Sequence, residues 1–195
     1  IVTLSGPSHA EEVIKLNPTT LVSSSKDLVS AKKVQSVFSS SFMRIYINED
    51  ILGVELGGAI KNVIAIASGI CDGIGYGDNT KAALLTRGIS EIGNLGNLMG
   101  AKSSTFQGLS GIGDLIVTAL SQHSRNRMVG QEIGKGESLN SILKKMNMVA
   151  EGVKSSISVN ELRKKYSADM PICESVYDIL FNKKDPKQAV YELMN

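Results

Sequence analysis

The chain of 195 residues carries a formal net charge of +2, with 42% hydrophobic and 21% charged residues. That is the balance of an ordinary globular protein of one or two domains. Only 5% of it is aromatic and Trp is absent, which argues against a base-stacking surface, so no nucleic-acid partner is expected. Cys71 and Cys173, like His9 and His123, stand alone without metal-ligand spacing, so the sequence predicts no metal site and a reducing, cytoplasmic setting. No signal peptide or uninterrupted apolar run near 18 residues predicts membrane insertion.

In chain order, 1–4 is an apolar run that stops at Gly6-Pro7, and 10–16 gives one short helix. Residues 20–24 read as a second strand and 42–47 as a third. Between them 26–39 carries Leu28, Val29, Val34 and Val37 at helical spacing. Strands alternating with helices in this way predict βαβ units and a parallel sheet. Three strands are too few for a freestanding doubly wound sheet, so residues 1–50 read as the closing part of one. The chain also opens on Ile1 inside a strand-like run, which predicts a piece of a longer protein, and it contains no G-x-G-x-x-G. The unpaired edge at 1–4 favours association, and a homodimer is expected.

Past residue 50 the strand signals stop, and 51–195 reads as all-helical. A long apolar helix covers 54–70. Asn79 is placed to cap a helix through 98, with Ala82, Leu85, Ile89, Ile92 and Leu95 on one stripe. Residues 100–105 read as a polar loop and 109–120 as a short helix. Ser124 and Ser138 are placed as N-caps of helices reaching about 133 and 146. Segments 152–166 and 172–181 follow, and Asp185-Pro186 opens a last helix to 194. The glycine-rich spots fall at helix ends or near the candidate site.

The long helix holds Gly57 and Gly58 in its interior, each costing about 1 kcal/mol relative to alanine, one turn before Lys61. Val54, Gly57, Gly58, Ala65 and Ser68 share the lysine's face and are small. Either a flat ligand lies against the backbone there, or another helix packs on it. Asp114 is a lone carboxylate within GLSGIGDLIVTAL and a candidate partner for Lys61. A lysine so placed can serve as a general acid or base, and an ordinary buried ion pair is the alternative.

Ser124-Arg125-Asn126-Arg127 sets two arginines in the first turn of a helix. The macrodipole disfavours cations there by roughly 0.3–1 kcal/mol. An anion held by free N–H groups, Arg125 and Asn126 would resolve the conflict; a solvated basic turn paired with Glu132 is the alternative. Lys81 repeats the conflict more weakly and is either near the site or solvated. Ser8, in Gly6-Pro7-Ser8 past the first strand, is placed to bind a ligand or to cap the helix beginning at Ala10.

The blocks LSGPSHAEEV, VELGGAIKNVIAIASGICDGIGYGDNTKAALLTRG, GLSGIGDLIVTALSQHSRNRMVG and VAEGV, in this order over nearly the whole chain, resemble the bacterial type of NAD(P)-dependent glycerol-3-phosphate dehydrogenase. The resemblance implies a mainly α fold. An all-helical C-terminal substrate domain at 51–195 would follow, at 1–50, the closing βαβ part of a Rossmann-like parallel sheet. It implies an oxidoreductase that interconverts sn-glycerol 3-phosphate and dihydroxyacetone phosphate with NAD or NADP, NADPH being favoured. The product would supply phospholipid synthesis.

By this resemblance Lys61 matches the catalytic lysine and Asp114 the acidic residue beside it. Gly6, Ser8, Ser124, Arg125 and Asn126 join them as matches to substrate contacts. Ala10, Arg125, Val149 and Glu151 match cofactor contacts, and Asn62 and Lys81 match positions near the site. The cofactor's phosphate-binding loop is missing from the sequence, so the polypeptide alone is expected to be inactive and to bind nucleotide weakly. Two other readings stay open. One is a related hydroxyacid or 6-phosphogluconate-type dehydrogenase, which also sets a lysine after a glycine-rich helix start. The other is a non-catalytic helical interaction domain whose small-residue helix only packs.

Overall fold

The computed structural model describes residues 1–146 and 149–194. Its first elements are β1 (Thr3–Ser5), α1 (Ala10–Val13), β2 (Thr19–Ser24), α2 (Leu28–Phe38) and β3 (Met43–Asn48). β2 lies in the middle of the sheet. It pairs in parallel with β3, from Thr19↔Met43 to Ser24↔Asn48, and antiparallel with β1, with Thr3 opposite Ser24. The alternation of strands and helices predicts an all-parallel sheet, and the observed sheet is mixed. The connections explain the difference. A parallel return needs a crossover long enough to carry the chain back along the strand. The eleven residues of α2 supply one, whereas the four residues of α1 do not.

Every later element among the described residues is helical. Asp50, nearly buried, joins the two parts. Its Oδ1 accepts the Gly53 N–H at 3.0 Å, while Oδ2 takes the Lys102 N–H at 2.8 Å and the Thr105 hydroxyl at 2.7 Å. Burial alone would push this carboxyl up; the bonds from Gly53, Thr105 and Lys102 outweigh it and hold the pKa below the usual value. Asp50 thereby caps α3 (Ile51–Ile74), which is longer than the predicted 54–70. The helix stops at Gly75, whose φ of 94° is left-handed. The Tyr76 N–H reaches back to the Cys71 carbonyl at 2.9 Å, closing a Schellman motif.

α3 is the axis of the helical body, and Val63, Ile64 and Ile66 on it are fully buried. By length and composition it could cross a bilayer, but 67% of its most apolar window is buried inside the protein. The next helix, α4 (Asp78–Leu98), starts at Asp78 with Gly77 as its cap residue, not at Asn79. The predicted polar loop holds a short helix, α5 (Ser103–Phe106), anchored by the buried Phe106. A π-helical turn, Leu109–Gly113, leads into α6 (Asp114–Leu120). Then come α7 (Arg125–Gly134), α8 (Leu139–Lys145), α9 (Glu151–Lys165), α10 (Pro171–Phe181) and α11 (Pro186–Met194). The expected caps form: Ser124 Oγ accepts Arg127 N–H at 3.2 Å, Ser138 Oγ accepts Ser141 N–H at 3.3 Å, and Asp185 accepts Gln188 N–H at 2.8 Å.

Gly69 on α3 and Gly130 on α7 are exceptions to the expected placing of glycines, being neither at a helix end nor in the cleft lining. Gly69 and Gly73 on α3 face Gly130 and Gly134 on α7, each pair four residues apart and so on one helix face. A Cβ on Gly69 would land on the Arg127 carbonyl, and one on Gly130 would land on the Ile66 carbonyl. The two backbones therefore run side by side in near contact, in the same direction.

Glu91 on α4 caps a different helix at a distance. Its carboxylate accepts the N–H groups of Ile172 at 2.7 Å and Cys173 at 3.1 Å at the start of α10. Burial pushes its pKa up, more than these bonds pull it down. A carboxyl raised on folding stabilises most fully below its unfolded pKa, and that contribution is lost as pH rises through the folded value. Wild type should therefore lose stability relative to Glu91→Gln as pH climbs from about 4, in denaturant titrations at several pH values. A pH-independent difference would refute it.

Candidate active site

Lys61 rises from the middle of α3 and meets the first residue of α6. Its ammonium donates to Asp114 Oδ2, and Thr118 donates to Oδ1 at 3.3 Å. Asp114 is only 2% exposed, so both carboxylate oxygens are engaged inside the protein. The two interior glycines divide the alternatives between them. A Cβ on Gly57 would strike the Ser110 carbonyl of the π-helical turn, so Gly57 is there for packing and lets α6 start beside Lys61. Gly58 instead borders the open cleft, with Ser5 Oγ as the nearest atom to a built Cβ, at 3.2 Å. Farther along this face the ligand reading gives way to packing. Ala65 and Ser68 are fully buried, and the Ser68 hydroxyl donates to the Ala119 carbonyl at 2.9 Å.

The start of α7 faces the same cleft. Ser124 Oγ takes the Arg127 N–H, which leaves the backbone N–H groups of Arg125 and Asn126 without a partner among the described residues. Asn126 is fixed on both sides of its amide. It donates to Asn62 Oδ1 at 2.9 Å and accepts the Gly152 N–H at 2.9 Å. Arg125 donates one guanidinium N–H to the Val149 carbonyl at 3.0 Å and lines the cleft. The chain at 149–152 is thus tied to α7 by two bonds. The two arginines of the motif part company: Arg127 binds Asp72 at 2.7 Å, not Glu132, which pairs with Lys135 at 2.7 Å.

Lys61, Asn62, Ser124, Arg125, Asn126, Val149 and Glu151 line one cleft of about 220 Å³, smaller than the roughly 300–1,000 Å³ of sites for drug-sized ligands. Asp114 lies directly behind Lys61. Four expected residues lie elsewhere. Gly6 is buried against β2, with φ at 140° and a built Cβ 3.2 Å from the Thr20 carbonyl. Ser8 is exposed and spends its hydroxyl on the Gly6 carbonyl at 3.1 Å, without capping α1. Ala10 is exposed at the start of α1. Lys81 is neither solvated nor in the cleft; it bridges Asp72 at 3.0 Å and Asp78 at 3.6 Å, which relieves the dipole conflict at α4.

Three cleft residues carry no clear sequence signal: Thr118, His9 and His123. The histidines are far apart in sequence, yet their rings stand edge to face with centroids 6.2 Å apart. The only sequence hint is that His123 directly precedes the Ser124 motif. The thiols are unsuited to nucleophilic work. Burial, helped by Asp72, pushes Cys71 up to about 11, and burial raises Cys173 as well. Among the described residues no cluster of three or more His, Cys, Asp or Glu side chains is placed to hold a metal ion.

A lysine–carboxylate pair and a helix start with two free backbone N–H groups share one cleft of a helical body flanked by a sheet. The family profile described as NAD-dependent glycerol-3-phosphate dehydrogenase C-terminus matches residues 50–191, and the chain belongs to this family. It is 56% identical to the glycerol-3-phosphate dehydrogenase [NAD(P)+] of Pelodictyon phaeoclathratiforme, over all of the chain and 58% of that protein. It is equally 56% identical to that of Listeria monocytogenes, over 57% of the relative. The crystal structure of glycerol-3-phosphate dehydrogenase from Coxiella burnetii superposes with a TM-score of 0.97 at 38% identity, over 100% of this chain and 60% of that one. The structure of glycerol-3-phosphate dehydrogenase from Saccharomyces cerevisiae superposes with a TM-score of 0.85 at 27% identity, over 95% of this chain and 57% of that one. The chain therefore spans less than two thirds of the length of the relatives it matches.

Proposed function

We propose that this chain forms the substrate side of an enzyme interconverting sn-glycerol 3-phosphate and dihydroxyacetone phosphate with a nicotinamide nucleotide. In this division residues 1–50 close the nucleotide-binding domain and 51–195 form the substrate domain. The observation that carries the proposal is that Lys61, backed by Asp114, and the open N-terminus of α7 face the same small cleft.

The phosphate of the substrate would seat on the free N–H groups of Arg125 and Asn126, the Ser124 hydroxyl and the Arg125 guanidinium. The Asn126 amide is already committed to Asn62 and Gly152, so it acts chiefly by holding this seat in place. With the phosphate so held, the carbonyl end lies toward Lys61. In reduction the ammonium gives its proton to the carbonyl oxygen as that oxygen gains negative charge; in oxidation the amine takes the hydroxyl proton. Asp114 fixes the direction of the ammonium and balances its charge inside the protein.

The nicotinamide supplies or accepts the hydride. Of the residues present, Val149, Glu151 and Arg125 border the cleft where its reactive end would lie; Gly6, Ser8 and Ala10 lie outside it, in the segment that carries His9. The nucleotide's phosphates find no glycine-rich loop in this sequence, so the residues here fit only the nicotinamide end. The resemblance to the bacterial enzymes favours NADPH and a role in supplying glycerol 3-phosphate for phospholipid synthesis.

Arg125→Ala in the full-length enzyme tests the phosphate seat. Losing a charge-assisted hydrogen bond should raise KM for dihydroxyacetone phosphate by at least about tenfold. KM for the nucleotide should move far less. Equal changes in both would count against this seat.

A further inference from the structure

We propose that His9 is a further ligand of the phosphate group bound in the cleft, donating a hydrogen bond from Nε2 to a phosphate oxygen. The inference rests on the reading above and deepens it. His9 occupies the N-cap position of α1, where a short polar side chain would ordinarily take a backbone N–H. Its imidazole does no capping. The backbone carbonyl alone serves the helix, accepting Glu12 N–H at 3.0 Å and Val13 N–H at 3.1 Å. The ring turns instead into the cleft that Lys61, Ser124 and Arg125 line.

There Nε2 is buried and has no hydrogen-bond partner among the described residues. Burying an unsatisfied polar atom costs free energy, and an atom kept in that condition at the wall of a binding cleft has its partner in the ligand. The surroundings say what that ligand carries. The donors nearby are the free N–H groups of Arg125 and Asn126, the remaining N–H groups of the Arg125 guanidinium, and the Lys61 ammonium, which also holds Asp114. Among the described residues, Glu151 is the one carboxylate that lines the cleft with them. His123, edge-on to His9 with an interplanar angle of 62°, is the residue before the Ser124 cap. Glu11 is a second acid near this group, outside the cleft lining; its own backbone N–H, followed by His123, His9 and Arg125, holds its carboxyl low. It lies on the exposed side of α1 and is fully solvated. Donors gathered around a buried, unpartnered imidazole nitrogen suit an anion with several acceptor oxygens.

This contact would also give the segment Gly6-Pro7-Ser8-His9 its use. Gly6 makes the turn against β2 and Ser8 faces out, while His9 reaches across from the sheet side to the start of α7. A phosphate held by both would tie the two parts of the chain together.

The test uses full-length enzyme carrying His9→Phe, which keeps an aromatic ring, and His9→Gln, whose amide N–H can stand where Nε2–H stood. Loss of one hydrogen bond to a charged group should raise KM for dihydroxyacetone phosphate about tenfold in His9→Phe. KM for the nucleotide should stay within about twofold, and His9→Gln should recover most of the loss. In labelled enzyme the His9 imidazole signal should shift on adding glycerol 3-phosphate or inorganic phosphate and stay still with glycerol. Unchanged KM in His9→Phe would overturn the proposal, as would equal behaviour of both variants. So would a shift seen only with the nucleotide, which would assign His9 to the cofactor's phosphate. Arg125→Ala, run in parallel, separates the levels. If it raises KM and His9→Phe does not, only the His9 inference fails; if neither does, the phosphate seat fails with it.

Discussion

Lys61→Arg in the full-length enzyme is expected to lower kcat by about 10²–10⁴-fold while leaving the melting temperature near that of wild type. Arginine keeps a positive charge against Asp114, so the buried carboxylate remains paired, but a guanidinium does not release a proton in the working pH range. Lys61→Ala should lose rate to the same extent and lose stability as well. It strands Asp114, 2% exposed, with the Thr118 hydroxyl as its remaining partner. Breaking a buried pair from one side costs roughly 3–5 kcal/mol. Adding Asp114→Asn to Lys61→Ala removes the stranded charge and should recover much of that stability without recovering rate. A lysine that only packs would show rate and stability falling together in every variant. Near-normal kcat in Lys61→Arg or Lys61→Ala, with folding intact, would sink the proton-transfer role.

Local chemistry is what the residue order exposes most directly. Ser124, Ser138 and Asp185-Pro186 mark helix starts because a cap needs only the few residues that follow it. The doubled arginine at the start of α7 is a local conflict too, and so it points to an anion before any contact is known. The partnership of Lys61 with Asp114 is legible for a related reason: each is a lone charge in an apolar stretch, and burial forces such charges together.

Direction and distance are less legible. The antiparallel β1 depends on how far a four-residue helix can carry the chain. Lys81 looks like a site residue until Asp72 is brought beside it. Glu91 caps α10 from another helix, and His9 meets His123, with no sequence proximity to announce either contact. Gly57 and Gly58 are adjacent in sequence yet serve different ends, because neighbouring residues on a helix point about 100° apart. The proposed substrate comes from the family resemblance, since neither spacing nor charge contains it.

The seam between α3 and α7 leaves no room for a side chain at Gly130. Gly130→Ala should destabilise the protein by about 1–3 kcal/mol or more, although alanine is the better helix former by about 1 kcal/mol. The added methyl group would sit on the Ile66 carbonyl and 2.9 Å from the Ile70 nitrogen. Backbone atoms cannot rotate away as a side chain could, so the two helices must separate. Gly93→Ala on α4 is the matched control. It too is inside a helix, but its nearest neighbour is a Phe106 ring carbon at 3.9 Å, so the propensity gain should appear unopposed and the variant should be more stable than wild type. Denaturant titration of the two variants compares them directly, and equal stability would refute the seam. The separation also has a consequence for the cleft. Pushing α7 off α3 strains the Asn62–Asn126 bond and moves the Arg125 and Asn126 N–H groups relative to Lys61. Any Gly130→Ala enzyme that still folds should therefore show a raised KM for the phosphorylated substrate, whereas Gly93→Ala should not. A destabilised Gly130→Ala protein with unchanged KM would mean that the seam holds the fold but does not position the phosphate seat.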